Sequence, residues 1–268
     1  MDSATTEYRE LLTFLQCPLQ DGGQILERFR SLPNAVSGQG THPRERFVYV
    51  AGTRKDRVLL LAHCDTVWDR SYCATEGEQV LHEENGLLSG TVATLGIGAD
   101  DRAGCAMLWL LRNSGHSLLL LDGEERGHLG AKYLRTAYPK LLRELNHHAY
   151  MLQLDLWGGD SCMYHGILNC RRFCNMIESW GFREERKKNG TDISYLCKRV
   201  CGANLSVGYR DFHRDTETLD VRQWQRVLAI LRERLAQPQR CYHTRRLRRL
   251  YLWGRRTAGR LVRGVFGK

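Results

Sequence analysis

Short apolar runs that end abruptly in polar residues recur along this chain. Val58-Leu59-Leu60-Leu61-Ala62 runs into His63-Cys64-Asp65, and Leu118-Leu119-Leu120-Leu121 runs into Asp122-Gly123-Glu124-Glu125. Tyr150-Met151-Leu152-Gln153-Leu154 runs into Asp155. These runs are apolar at nearly every residue rather than at every second one. That predicts strands of a central, mostly parallel mixed sheet covered on both faces. Between and after them, segments 101–111, 127–137, 170–180 and 221–235 carry apolar residues at helical spacing. At the start, Leu11, Leu12 and Leu15 open a helix that resumes at Ile25, Leu26 and Phe29, with Pro18 and Gly22-Gly23 splitting it. Strands alternating with helices define an α/β fold with helices on both faces of the sheet. No internal repeat and no low-complexity segment precedes residue 240.

Composition adds little to this picture; charge adds more. Of 268 residues, 42% are hydrophobic and 26% charged, as in an ordinary globular protein. No apolar run approaches the roughly eighteen residues of a membrane span. The polar, acidic N-terminus lacks the basic start and apolar centre of a signal peptide, so a cytoplasmic location is expected. The net charge of +10 comes from 40 basic and 30 acidic residues, and ten of the basic ones fall in residues 240–268, where there are no acids. Residues 1–239 therefore hold 30 of each and are neutral, which argues against a body that coats nucleic acid. The ten cysteines include two CxxxC pairs, Cys170/Cys174 and Cys197/Cys201, but no CxxC. They are read as reduced, half-buried thiols of a reducing compartment.

The chemistry lies where the apolar runs end. In open α/β sheets, ligands bind beyond the carboxyl ends of the strands. There this chain places an imidazole and a carboxylate (His63, Asp65), an acid pair before a helix (Asp100, Asp101), a second acid pair (Glu124, Glu125) and a further acid (Asp155). His213 follows in Gly208-Tyr209-Arg210-Asp211-Phe212-His213, ahead of a helix expected from about Asp220. Taken singly, each acid has a plain structural use as an N-cap or turn residue. Adjacent carboxylates repel unless a cation offsets them, however, and the acid pairs follow an apolar strand or a glycine-rich turn, bracketed by two histidines. Three carboxylates and two imidazoles can hold two divalent ions that share one carboxylate.

The order of motifs resembles the co-catalytic di-zinc exopeptidase superfamily, which includes bacterial leucyl aminopeptidases, glutamate carboxypeptidases and peptidase T-like enzymes. The matching segments are Ala62-His63-Cys64-Asp65-Thr66-Val67, Gly98-Ala99-Asp100-Asp101-Arg102-Ala103-Gly104, Asp122-Gly123-Glu124-Glu125, Gln153-Leu154-Asp155 and Asn204-Leu205-Ser206-Val207-Gly208-Tyr209-Arg210 leading to His213, within roughly residues 45–236. The resemblance implies a phosphorylase/hydrolase-like zinc-exopeptidase fold and two bound divalent ions, zinc first, with cobalt or manganese as alternatives. It implies that His63 and Asp155 serve one ion, Glu125 and His213 the other, and Asp100 both, with a cis peptide to Asp101. Asp65 would hold the His63 ring, and Glu124 would be the general base. Only residues 156–212 separate Asp155 from His213, too few for the separate dimerisation or lid domain of many relatives. The compact single-domain branch fits better. Cys64 is expected to be buried packing. Arg210 is read first as a surface ion pair, with a substrate carboxylate as its other role. Asp192, in Gly190-Thr191-Asp192-Ile193-Ser194, is read first as a helix N-cap, with support of the site as its other role.

These features give a metal-dependent hydrolase of short peptides or a protein terminus, an aminopeptidase or carboxypeptidase in residues 1–239. An N-acyl amino acid deacylase is the alternative enzyme, and an inactive scaffold working through its tail is the alternative of another class. In residues 240–268, Leu247, Leu250, Tyr251, Ala258, Leu261, Val262 and Val265 recur at helical spacing among arginines. A basic amphipathic tail of this kind fits an anionic membrane, with nucleic-acid phosphate second and a protein partner or plain solvation after that.

Overall fold

The computed structural model describes residues 3–69, 80–92, 94–186 and 190–245. The chain opens with helices α1 (Ser3–Leu15) and α2 (Gly23–Arg30), then strands β1 (Ala35–Gln39), β2 (Arg46–Val50), β3 (Leu59–His63), β4 (Leu81–Glu84) and β5 (Leu87–Gly90). Next come α3 (Ala99–Leu110), β6 (Ser117–Leu121), α4 (Leu129–Ala137), α5 (Pro139–Leu145), β7 (Met151–Leu156) and β8 (Ser161–Met163). The described part ends with α6 (Arg171–Ser179), β9 (Arg183–Glu184), α7 (Asp192–Leu196), β10 (Gly202–Ser206), β11 (Tyr209–Arg210), β12 (Thr218–Asp220) and α8 (Val221–Ala236).

Eight strands form one mixed sheet in the order β1-β2-β6-β3-β7-β10-β8-β9. Its centre, β6-β3-β7-β10, is parallel, and antiparallel strands flank it. All residues of β3, β6 and β7 are buried, which is why each reads as an unbroken apolar run. The sheet separates two apolar layers. Leu60, Ala62 and Leu120 face a core shared with α1, α3 and α8, while Leu59, Leu61 and Leu119 face one shared with α4 and α7. The expected α/β sheet with helices on both faces is thus present. The opening helix is split where Pro18 and Gly22-Gly23 stand.

Register sets the height of the chemistry. His63 pairs with Leu121 and Leu61 pairs with Gln153, so the ends of β3, β6 and β7 lie level. Between β7 and β10, Asn204 pairs with Gln153 and Ser206 with Leu156. Two steps along β10 thus match three along β7, and the extra residue falls at Leu154–Asp155. A bulge of this kind re-aims a side chain at a strand end. The side chain of Asn204 takes over where the ladder breaks: its Oδ1 accepts from the Asp155 N–H at 3.0 Å and its Nδ2 donates to the Asp155 carbonyl at 2.6 Å.

A second, antiparallel sheet of four short strands, β11-β12-β5-β4, was not foreseen. Its strands have two to four residues and little apolar content, too little to print a period. The β11–β12 connection carries His213. Between Asp155 and His213 the described residues add β8, β9 and β10 to the main sheet, with α6 and α7, and no separate domain.

No helix among the described residues is long and apolar enough to cross a membrane. Residues 240–245 stay on the body. The Tyr242 ring packs on Phe173 at 5.6 Å, and the Arg245 N–H donates to the Leu168 carbonyl at 3.1 Å. Of the basic amphipathic tail expected over residues 240–268, residues 246–268 lie outside the described residues. The nine described cysteines are free. Cys64 is fully buried, as expected of packing. Cys170 caps α6 and Cys174 lies in that helix, but Cys197 ends the short α7 and Cys201 precedes β10, so the second CxxxC pair does not share a helix face.

Candidate metal centre

The expected residues converge although they come from five parts of the chain. His63 ends β3, Asp100 opens α3, Glu124 and Glu125 follow β6, Asp155 sits in the β7 bulge, and His213 lies in the β11–β12 turn. All six line one cleft of about 290 Å³. His63 Nε2 stands 3.3 Å from Asp100 Oδ1 and 3.5 Å from Asp155 Oδ1. His213 Nε2 stands 3.3 Å from Asp100 Oδ2 and 2.8 Å from Glu125 Oε1. Each oxygen of Asp100 therefore faces a different imidazole, and each imidazole faces one further carboxylate. Ligand atoms of Asp100, Glu125 and His213 all lie within 4.8 Å of one another.

The electrostatics express the crowding. Burial, with Asp100 nearby, pushes Glu125 up to about 8. Burial, with Asp100 and Glu124 adding to it against His63, pushes Asp155 up to about 7. Burial opposes the charge on His213, yet Asp100 and Glu125 outweigh it and raise the ring to about 10. His63, fully buried, is likewise raised because Asp155, Asp100 and Asp65 overcome its desolvation. A set of hard oxygens and borderline imidazole nitrogens that can only partly neutralise itself by holding protons fits two divalent cations, zinc among them.

Asp101 lies close to His63 and Asp155 but is already engaged. Its Oδ2 accepts from the His63 N–H at 3.1 Å and its Oδ1 from the Gly104 N–H at 3.2 Å, so it caps the first turn of α3. The Asp100–Asp101 peptide is cis, as the resemblance implied. Gly98 adopts φ 65° at that junction, and a Cβ there would press on Leu19 at 2.6 Å. Gly104 lets α3 approach β7, because a Cβ at this position would collide with the Leu154 carbonyl oxygen and the Asp101 carboxylate.

Asp65 stands behind the centre. Its oxygens accept from the Glu124 and Glu125 N–H groups, both at 3.1 Å, and Oδ1 lies 3.3 Å from His63 Nδ1. Those bonds to the Glu124 N–H and the His63 ring hold its pKa below the ordinary range despite full burial.

Several residues that sequence reasoning missed complete the site. Glu217, buried in the β11–β12 turn, accepts from the Gly98 N–H at 2.7 Å and the Asp100 N–H at 3.0 Å. Tyr209 donates to Asp155 Oδ1 at 3.2 Å, and Gln153 and Thr191 donate to Asp155 Oδ2 at 2.7 and 3.1 Å. Asn204, Gln153 and Tyr209 stood inside quoted motifs and Thr191 beside Asp192, so their proximity was legible; Glu217 had no such signal. Asp192 corrects its expectation: Thr191 is the N-cap of α7, and Asp192 is buried with Oδ1 3.5 Å from His128 Nδ1. Arg210 is half exposed and 3.9 Å from Asp220, on a separate cavity of about 640 Å³ that shares the stacked rings of Trp157 and Phe212 with the metal cleft.

No protein-family model matches the chain, and no curated protein does. Among solved structures it is similar to the aminopeptidase PepT from Bacillus cereus ATCC 10987, with TM-score 0.63 at 14% identity, covering 88% of this chain and 99% of that one. A tripeptidase from Staphylococcus aureus subsp. aureus Mu50 gives TM-score 0.63 at 13% identity, covering 88% and 98%. The Pyrococcus horikoshii TET1 peptidase, which can assemble into a tetrahedron or a large octahedral shell, gives 0.57 at 15% identity, covering 84% and 98%. At these identities the likeness shows the fold.

Proposed function

We propose that the chain is a metal-dependent hydrolase of peptide bonds, an exopeptidase acting on short peptides with two divalent cations, zinc first. The observation that carries this is Asp100, whose two oxygens face two separate imidazole–carboxylate sets. His63 and Asp155 would hold one cation, Glu125 and His213 the other, and Asp100 both. Bound there, the cations would act as Lewis acids on the scissile carbonyl and lower the pKa of a shared water.

The rest of the work falls to side chains of this chain. Glu124 reaches the same cleft without being needed as a ligand. Its Oε1 faces His128 at 3.1 Å, which leaves Oε2 to take the proton of the attacking water and return it to the leaving amine. Asp65 fixes both this glutamate's backbone and the His63 ring. Arg210 stands in the adjoining cavity as the group for a substrate carboxylate, reached across Trp157 and Phe212.

Peptides free or blocked at either end, assayed with zinc and with a chelator, test this reading. Hydrolysis that chelation abolishes is expected, and the preferred free end separates aminopeptidase, carboxypeptidase and deacylase. Arg210→Ala should raise KM for substrates with a free carboxylate and leave amidated ones unchanged. Equal effects on both remove Arg210 from substrate binding. No metal-dependent hydrolysis of any amide overturns the enzyme reading and favours a scaffold.

A further inference from the structure

Beside Glu124 lies a pair of side chains that neither metal set uses. His128 Nδ1 stands 3.1 Å from Glu124 Oε1 and 3.5 Å from Asp192 Oδ1. Asp192 is 1% exposed, and among the described residues neither its oxygens nor His128 Nδ1 make a hydrogen bond of good geometry, so the contacts of this imidazole are ion pairs. The cationic face of His128 is therefore what such a buried carboxylate has to offset its charge. The arrangement is built rather than incidental. His128 caps α4 in a left-handed conformation, φ 63°, and its N–H donates to the Glu124 carbonyl at 2.9 Å. Its ring lies on Tyr195 at 4.8 Å, and Tyr195 is carried on α7 beside Asp192. Lys132 Nζ sits 5.2 Å from that same Tyr195 ring. The loop after β6 and the short helix α7 are thus joined through one imidazole. Burial opposes its charge, but Asp192 and Glu124 raise it to about 10.

We propose that His128, held by Asp192, is the positioning residue of Glu124. A carboxylate at the end of a glutamate side chain has free rotamers, and a general base works only within hydrogen-bond reach of its proton. An imidazolium paired with Oε1 at 3.1 Å restricts that freedom and leaves Oε2 for the cleft. Asp192 in turn keeps the imidazole charged and in place, so the order runs carboxylate, imidazolium, carboxylate. His128 itself transfers no proton in this scheme. The inference rests on Glu124 being the general base.

Substitutions at His128 test it in the full chain. His128→Ala should lower kcat about tenfold to a hundredfold, the scale of a misplaced catalytic group, with KM and zinc stoichiometry unchanged, and the melting temperature of the metal-free protein should fall because Asp192 loses its cationic partner. His128→Asn keeps an N–H donor near the Nδ1 position and should recover most of the loss, whereas His128→Gln should not. In a Glu124→Gln background, His128→Ala should cost nothing further, because its only route is through Glu124. In the metal-free protein, Asp192→Asn should lower the NMR titration midpoint of His128. Full kcat in His128→Ala, or an equal loss in the Glu124→Gln background, overturns the inference. If His128→Ala does not fold, equal kcat in the Asn and Gln variants overturns it instead. Full activity in Glu124→Gln overturns the hydrolase mechanism as well, so the two failures are distinguishable.

Discussion

Replacing Asp65 with Asn isolates the support of the centre from its ligands. In the native protein its carboxylate takes two backbone N–H groups, from Glu124 and Glu125, and faces His63 Nδ1. Asn keeps one acceptor oxygen and turns an NH₂ towards the other N–H. One charge-assisted bond is lost, worth about 1.5–3 kcal/mol of stability in the metal-free protein. A partner behind a ligating imidazole is worth about 10–100-fold in metal affinity. Here the Asp65 carbonyl oxygen also faces Nδ1, at 3.1 Å, and survives the substitution. The loss should therefore fall at the lower end, about tenfold. Thermal melts in chelator measure the first quantity, and competition between the protein and a chelator for zinc measures the second. Unchanged zinc affinity together with unchanged stability would refute the supporting role assigned to Asp65.

The metal-free protein should lose stability as pH rises from about 5 to 9. Glu125 and Asp155 have folded pKa values of about 8 and 7, above their unfolded values. Such groups contribute stability that is complete below the unfolded pKa, near 4 for a carboxyl, and lost as pH rises through the folded one. His63 and His213, also raised, act in the same direction above about 6.5. Saturating zinc should flatten the profile, and a metal-free melting temperature that rises across this range would contradict the crowding. Gly104→Ala should cost about 1–3 kcal/mol by overpacking in a urea melt and weaken zinc binding with it. A neutral result would mean that α3 can retreat from β7 without loss.

The sequence made the centre of this fold legible because β3, β6 and β7 are buried on both faces, and burial writes an unbroken apolar run. Three members of the candidate set, His63, Glu125 and Asp155, were legible for the same reason: their runs end in polar residues that a sheet must gather at one edge. The small sheet left no mark, since β11 has two residues and β4 exposes most of its side chains. Glu217 and the partner of Asp192 escaped for another reason. Glu217 bonds Gly98 from 119 residues away, and Asp192 faces His128 across 64 positions of sequence (192 − 128). No local spacing encodes such a partnership, so a buried acid reads as a turn or cap. For Asp192 that reading was also displaced by one residue, because Thr191 holds the cap.

Everything turns on whether the acids of this cleft hold metal beside an uncommitted base. The most direct test is Glu124→Gln loaded with zinc, with metal content and peptide hydrolysis measured on the same preparation. Two zinc ions per chain, the same as in the unsubstituted protein, and turnover reduced about 10²–10⁴-fold, the usual contribution of a general base, are expected. Undiminished turnover, or loss of zinc on this substitution, would contradict it.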